Sequence, residues 1–234
     1  FLVFAILSLS ISVVAFRSSV GAQSQSSSSA KPNLRTRSLV YPLALMFVIN
    51  ACFGFIFRGL TLFLPLHLST NLGVDLWKFE PVVIGGATAT LALLFGVAGQ
   101  YVGGELGERY NRERLVVPLA ALTVPALLMM ATGQGWVLLL GAVLFVFFNF
   151  MAQPTSVAMI SDYAGERIQG RIYGLTSVTG FGIGSLAGVI GGLITDGHGV
   201  QWVFLMLACV ATLTVLSGIA INVYMFLQRQ TNEF

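Results

Sequence analysis

Charged side chains are scarce in this sequence: Asp, Glu, Lys and Arg make up 9% of 234 residues, 56% are hydrophobic, and the mean hydropathy is +0.87. A soluble domain carries roughly a quarter charged residues, so the deficit excludes an aqueous fold and makes lipid the solvent of most of the chain. Cysteine is equally sparse. Cys52 and Cys209 both fall inside apolar segments, which leaves a disulfide framework or a thiolate metal centre without support. His67 and His198 stand at segment ends without the paired spacing of a zinc site, so neither a metal nor a cofactor is implied. Acidic residues are absent from the depth of the apolar runs: Glu80, Glu105, Glu108, Asp162 and Asp196 flank them.

What is present is a series of apolar runs of about 17–25 residues, the length a helix needs to cross a hydrocarbon layer of ~30 Å. They are not the alternating segments of about ten residues that build an outer-membrane barrel. The expected fold is therefore all-α and transmembrane. Six spans are predicted, at approximately 41–67, 82–104, 115–132, 136–160, 172–195 and 201–228. Ahead of them, Phe1–Phe16 reads as a truncated membrane helix; a secretory signal is the competing reading, because Ser19-Val20-Gly21-Ala22 resembles a cleavage site, although a basic stretch before the apolar core is absent. Residues 17–40 contain a Ser- and Gln-rich stretch unable to bury enough apolar area to fold, and are predicted to be a linker. The expected organisation is a truncated helix at 1–16, a linker at 17–40, a six-helix bundle at 41–228 and a tail at 229–234.

Basic residues divide sharply between the alternate connections. Arg17, Lys31, Arg35, Arg37, Arg109, Arg112, Arg114, Arg167, Arg171 and Arg229 fall on one side and only Lys78 on the other. Positive charge marks the cytoplasmic face, and Trp77, Trp136 and Trp202 next to the opposite span ends suit the other headgroup boundary. Linker and C-terminus are expected inside, in an integral protein of the plasma (inner) membrane. The basic residues show no aromatic interleaving, so a nucleic-acid partner is not expected. In intact cells, Asp75→Cys and Gly135→Cys should react with an impermeant thiol reagent added outside, and Ser28→Cys and Tyr110→Cys only after permeabilisation. External labelling at position 28 would reverse the orientation.

The clearest short motif runs from Gly104 to Arg114, GELGERYNRER. It resembles the cytoplasmic signature G-x-L-x-D-R-x-G-R-[RK] of the major facilitator superfamily. Gly104, Leu106, Arg109 and Arg112 match, Glu108 stands for the Asp, Asn111 for a glycine, and Glu113 departs from the usual basic residue. The resemblance continues through Pro154, Asp162, Arg167, Gly170, Arg171, Gly174, a glycine-rich span, Asp196-Gly197 and Trp202, and covers Phe1 to Leu227. It implies the C-terminal half of such a transporter: the end of a sixth helix, a central linker and a bundle of six more helices. It also implies that Gly104, Gly107, Glu108, Arg109 and Arg112 act as a conformational latch and not as a substrate site; on physical grounds alone the segment could be a solvated charged loop that only fixes topology. Gly180, Gly184, Gly188 and Gly192 recur every fourth residue, as Gly99, Gly103 and Gly107 do, and small residues at such spacing let helices approach closely.

Polar groups deep within spans are the candidates for touching a solute. Arg58 is the only charged residue well inside one, and Asn50, Gly54, Arg58, Thr61 and Pro65 share a helix face at three- and four-residue intervals. Arg58 could bind an anion or a buried acid, or it could snorkel to the nearer membrane surface. Asn149 and Gln153 form a second polar pair, four apart, readable as cavity contacts by the resemblance or as hydrogen-bonding glue between helices. The resemblance also implies secondary active transport of a small solute by alternating access, within a longer chain whose N-terminal half holds any protonatable acid. Two other readings remain open: a transport-inactive scaffold or receptor-like half, and a membrane-embedded enzyme. Against an enzyme, neither histidine has a mid-span acid or cysteine near it.

Overall fold

In the computed structural model, residues 40–73, 80–110, 112–163 and 169–231 are described. The expected helix at 1–16, most of the linker, Asp75, Trp77, Lys78, Asn111, Arg167 and the last residues of the tail lie outside them. All regular structure among the described residues is helical: α1 Val40–Asn71, α2 Pro81–Arg109, α3 Arg112–Thr132, α4 Trp136–Tyr163, α5 Gln169–Ser177, α6 Gly184–His198 and α7 Gln201–Thr231. A single π-helical turn, Val178–Ile183, joins α5 to α6 into one continuous element. Among the described residues six segments are long and apolar enough to span a bilayer, one of them Gly170–His198.

The ends of the elements follow from local chemistry. Pro81 stands in the first turn of α2, where a missing N–H costs nothing and its fixed φ suits the helix. Gly73, Gly135 and Gly199 take φ of 65°, 55° and 97°, a region that side-chain-bearing residues seldom adopt, and each lies where a helix stops or reverses. The Gly135 N–H donates to the Asn71 carbonyl at 3.0 Å, tying the tight turn between α3 and α4 to the last residue of α1.

One segment expected as a loop is helix. The predicted connection at 105–114 is largely absorbed by α2, which continues through Arg109, with α3 beginning at Arg112. No proline interrupts Gly104 to Arg109, Gly107 is tolerated where it packs against Thr155, and Glu105 and Arg109, four apart on an exposed face, form an ion pair that favours the helical turn.

Packing radiates from α1, which touches α2, α4, α6, the π turn and α7; α2 lies along α4, and α3 fits between α4 and α7. One apolar cluster gathers Leu60, Leu64 and Leu68 of α1 with Leu127, Met130, Phe145, Phe204 and Leu207. A second cluster, around Met46, Ile49, Val116, Met151 and Ile221, occupies the end nearer the start of α1. The outer surface is apolar as well, with Val82, Leu91, Phe95, Val97 and Leu193 exposed, as lipid-facing positions require. His67 is buried between helices. Its Nε2–H donates to the Met130 carbonyl at 2.7 Å, its Nδ1 accepts from the Asn71 amide at 3.1 Å, and its ring stacks on Phe204 with centroids 4.6 Å apart. Those contacts fix one neutral tautomer and join α1, α3 and α7.

Candidate functional site

Glycines set how closely the helices around the site approach. Ideal Cβ atoms on Gly99 and Gly103 would stand 2.3 Å and 2.1 Å from the carbonyl oxygens of Phe147 and Met151, so α2 meets α4 backbone to backbone. Gly107 reaches the Thr155 side chain, whereas Gly104 faces open space. On the other flank, a Cβ on Gly54 would lie 2.0 Å from the Gly180 carbonyl oxygen, and one on Gly184 2.7 Å from that of Gly54. The face continues through Gly188 to Gly191, which meets the Phe63 ring; Gly192 has nothing within reach.

Where α1, α4 and the α5–α6 element converge, a cavity of about 360 Å³ opens. Of the five side chains expected to touch a solute, Asn50, Arg58 and Gln153 line it, together with Gly54 and Gly180. The Asn50 amide donates to the Thr176 carbonyl at 2.7 Å and to Thr179 Oγ1 at 3.2 Å, so it holds the entry to the π turn. The Arg58 guanidinium carbon lies 5.3 Å from the centroid of Phe181, which belongs to that turn. The stem of Arg58 runs beside Gly184, where a Cβ would stand 3.2 Å from its Cγ. Among the described residues no carboxylate pairs with Arg58. Phe53 and Phe57 supply apolar wall, and Ser156, Tyr173, Thr176 and Ser177 supply hydroxyl groups.

The other two candidates lie elsewhere. Thr61 donates its hydroxyl to carbonyls of its own helix, at Phe57 and Arg58, and does not line the cavity. Asn149 is 1% exposed, outside the cavity lining, and its Oδ1 has no hydrogen-bond partner among the described residues. Sequence reasoning did not single out Tyr173, Thr176, Ser177 or Phe181. Their only signal was a cluster of hydroxyl and aromatic side chains within a glycine-rich span, a pattern that also fits plain helix packing.

The signature residues gather at the α2–α3 corner. Arg109 pairs with Glu105, Glu108 is exposed, and Arg112 Nε donates to the Gly107 carbonyl at 3.0 Å, satisfying an acceptor at the end of α2.

Comparison with known proteins places this arrangement. Residues 1–189 and, overlapping them, 82–233 match the sequence model of the Major Facilitator Superfamily. A protein of Planococcus maritimus described as a Na(+), Li(+), K(+)/H(+) antiporter is 26% identical over 194 residues, which is 80% of this chain and 42% of that protein. The in meso crystal structure of the POT family transporter PepTSo superposes with a TM-score of 0.67 at 14% identity, over 76% of this chain and 37% of that one. At that identity the likeness is one of fold. The chain thus spans less than half the length of either protein, 42% and 37%.

Proposed function

Because the chain belongs to the Major Facilitator Superfamily, a family of membrane transporters and not of enzymes, we propose that it forms one bundle of a secondary carrier moving a small solute by alternating access. The observation that carries this reading is the cavity between α1, α4 and the α5–α6 element, which brings Asn50, Arg58 and Gln153 together inside an apolar bundle. Ionisable and amide groups at membrane depth are costly unless they serve a pathway or a partner. A second bundle, from the remainder of a longer chain, completes the pathway. The bias of the basic connections supports a cytoplasmic linker and C-terminus, and the plasma membrane is the location that goes with this reading. The α2–α3 corner serves as the latch that the signature motif implies.

The test compares two adjacent positions in the full-length carrier. Ser177 lines the cavity, while Val178 does not and is 67% exposed. Ser177→Trp should fill the cavity and stop uptake, and Val178→Trp should leave uptake near wild type at equal membrane expression. Equal uptake by both variants would remove the cavity from the transport path. Exchange of monovalent cations for protons, the activity by which the Planococcus relative is described, is the second reading. It calls for acidic ligands, and none lines this cavity among the described residues. Acidification or alkalinisation of proteoliposomes on addition of Na⁺ would favour that exchange.

A further inference from the structure

We propose that the cavity selects an amphipathic organic anion, a carboxylate, sulfonate or phosphate carried on an apolar and preferably aromatic body; this rests on the cavity being the solute site. Among the described residues Arg58 is the only charged one lining the cavity, and it pairs with no carboxylate. Arg58 is exposed in the isolated bundle and faces the cavity; an unpaired guanidinium there attracts a counter-charge, and its planar fork suits a two-oxygen anion. Its position is also held. Phe181 lies against one side of the guanidinium at 5.3 Å, and the bare backbone of Gly184 leaves room for the stem to run toward the cavity. These contacts oppose snorkelling to the membrane surface, because an outward rotamer gives up the ring.

The rest of the lining fits the other half of such a molecule. Phe53, Phe57 and Phe181 offer aromatic surface for an apolar body. Gln153 and the hydroxyls of Ser156 and Tyr173 can donate to further oxygens, whereas the Ser177 hydroxyl already donates to the Tyr173 carbonyl at 3.1 Å and the Asn50 amide is committed to the π turn. A free cation meets repulsion from Arg58 and finds no opposing carboxylate in this wall. A neutral solute leaves the guanidinium unpaired.

The experiment reads charge preference without knowing the native solute. In the full-length carrier, made free of other cysteines, Ser177→Cys is reacted with the anionic sulfonatoethyl and the cationic trimethylammonioethyl methanethiosulfonates, each rate normalised to a free thiol. The anionic reagent is expected to react faster by roughly tenfold, the order of effect that one nearby charge gives at reduced dielectric. Arg58→Gln should remove that preference and Arg58→Lys should keep it. In parallel, 4-phenylbutyrate, 4-phenylbutanol and 4-phenylbutylammonium are tested for protecting the same thiol from a neutral maleimide. Only the carboxylate should protect. Phe181→Leu and Arg58→Lys should each raise its half-protecting concentration several-fold, the first by loss of the ring and the second by loss of the fork. Equal or cation-favouring rates, or protection by the ammonium compound, overturn the proposed solute class while leaving the cavity as a solute site. If no reagent reaches the thiol and Ser177→Trp transports normally, the cavity reading fails and the solute class fails with it.

Discussion

Gly54→Val is expected to abolish transport, to below about a tenth of wild type, and to lower the thermal stability of the purified carrier. The reason lies in what the new side chain meets. Its Cβ would fall 2.0 Å from the oxygen and 2.6 Å from the carbon of the Gly180 carbonyl, which are backbone atoms of the facing element. A flexible side chain could turn aside, but a helix backbone relieves the clash only by moving as a body. Overpacking a filled core costs about 1–3 kcal/mol even where side chains can adjust. Separating α1 from the π turn and the start of α6 also withdraws Asn50 and Arg58 from their contacts there, so the cavity loses its shape along with its packing. Gly192→Val is the matched control: a Cβ there meets nothing within reach, and both uptake and melting should stay near wild type. Normal uptake and melting in Gly54→Val would mean that the α1–α6 approach is looser than the backbone distances show.

Asn50→Leu is expected to cut transport by about tenfold while the protein still inserts and purifies. Leucine keeps the branching and heavy-atom count of asparagine, though it is bulkier, but cannot donate to the Thr176 carbonyl or to Thr179 Oγ1. Each such bond is worth about 0.5–1.5 kcal/mol, and a polar group left unpaired away from water costs about 1–3 kcal/mol. Thr179 can still donate to the Thr176 carbonyl at 3.0 Å, so the π turn is weakened and not deleted. The loss should show locally, as faster amide hydrogen exchange across residues 176–183 with little change in α2 and α4. Unaltered exchange there, together with unaltered uptake, would show that the amide does not hold the turn.

The spans and the family were legible because lipid imposes long apolar runs, and because the GELGERYNRER motif survives with only a few departures. The shared face of Asn50, Gly54 and Arg58 followed from helical periodicity alone. Thr61 lies on that face, yet its hydroxyl stays with its own helix, since a threonine in an apolar segment satisfies itself most easily on the carbonyls of the preceding turn. The glycine stripe shows the same limit of reading by interval. A strict four-residue repeat drifts around a helix of about 3.6 residues per turn, so by its fourth member it has rotated off the contact. Hence Gly191 meets Phe63, and Gly192 does not. The π turn had no local sign, because neither proline nor charge marks Val178–Ile183. Its partner Asn50 lies 126 residues from Thr176, and only the tertiary fold brings them together.

An extra residue per turn changes the angular phase of everything that follows it. The span from Gly170 to His198 is therefore two helices with independent registers joined end to end. The first, α5, turns Tyr173, Thr176 and Ser177 to the cavity; the second, α6, turns Gly184, Gly188 and Gly191 to α1. Because the turn offsets the two registers, substitutions on the cavity-facing side of α5 should alter the cavity wall without re-aiming α6. Deleting one residue from Val178–Ile183 would close the turn into ordinary helix and rotate one register against the other by about 100°.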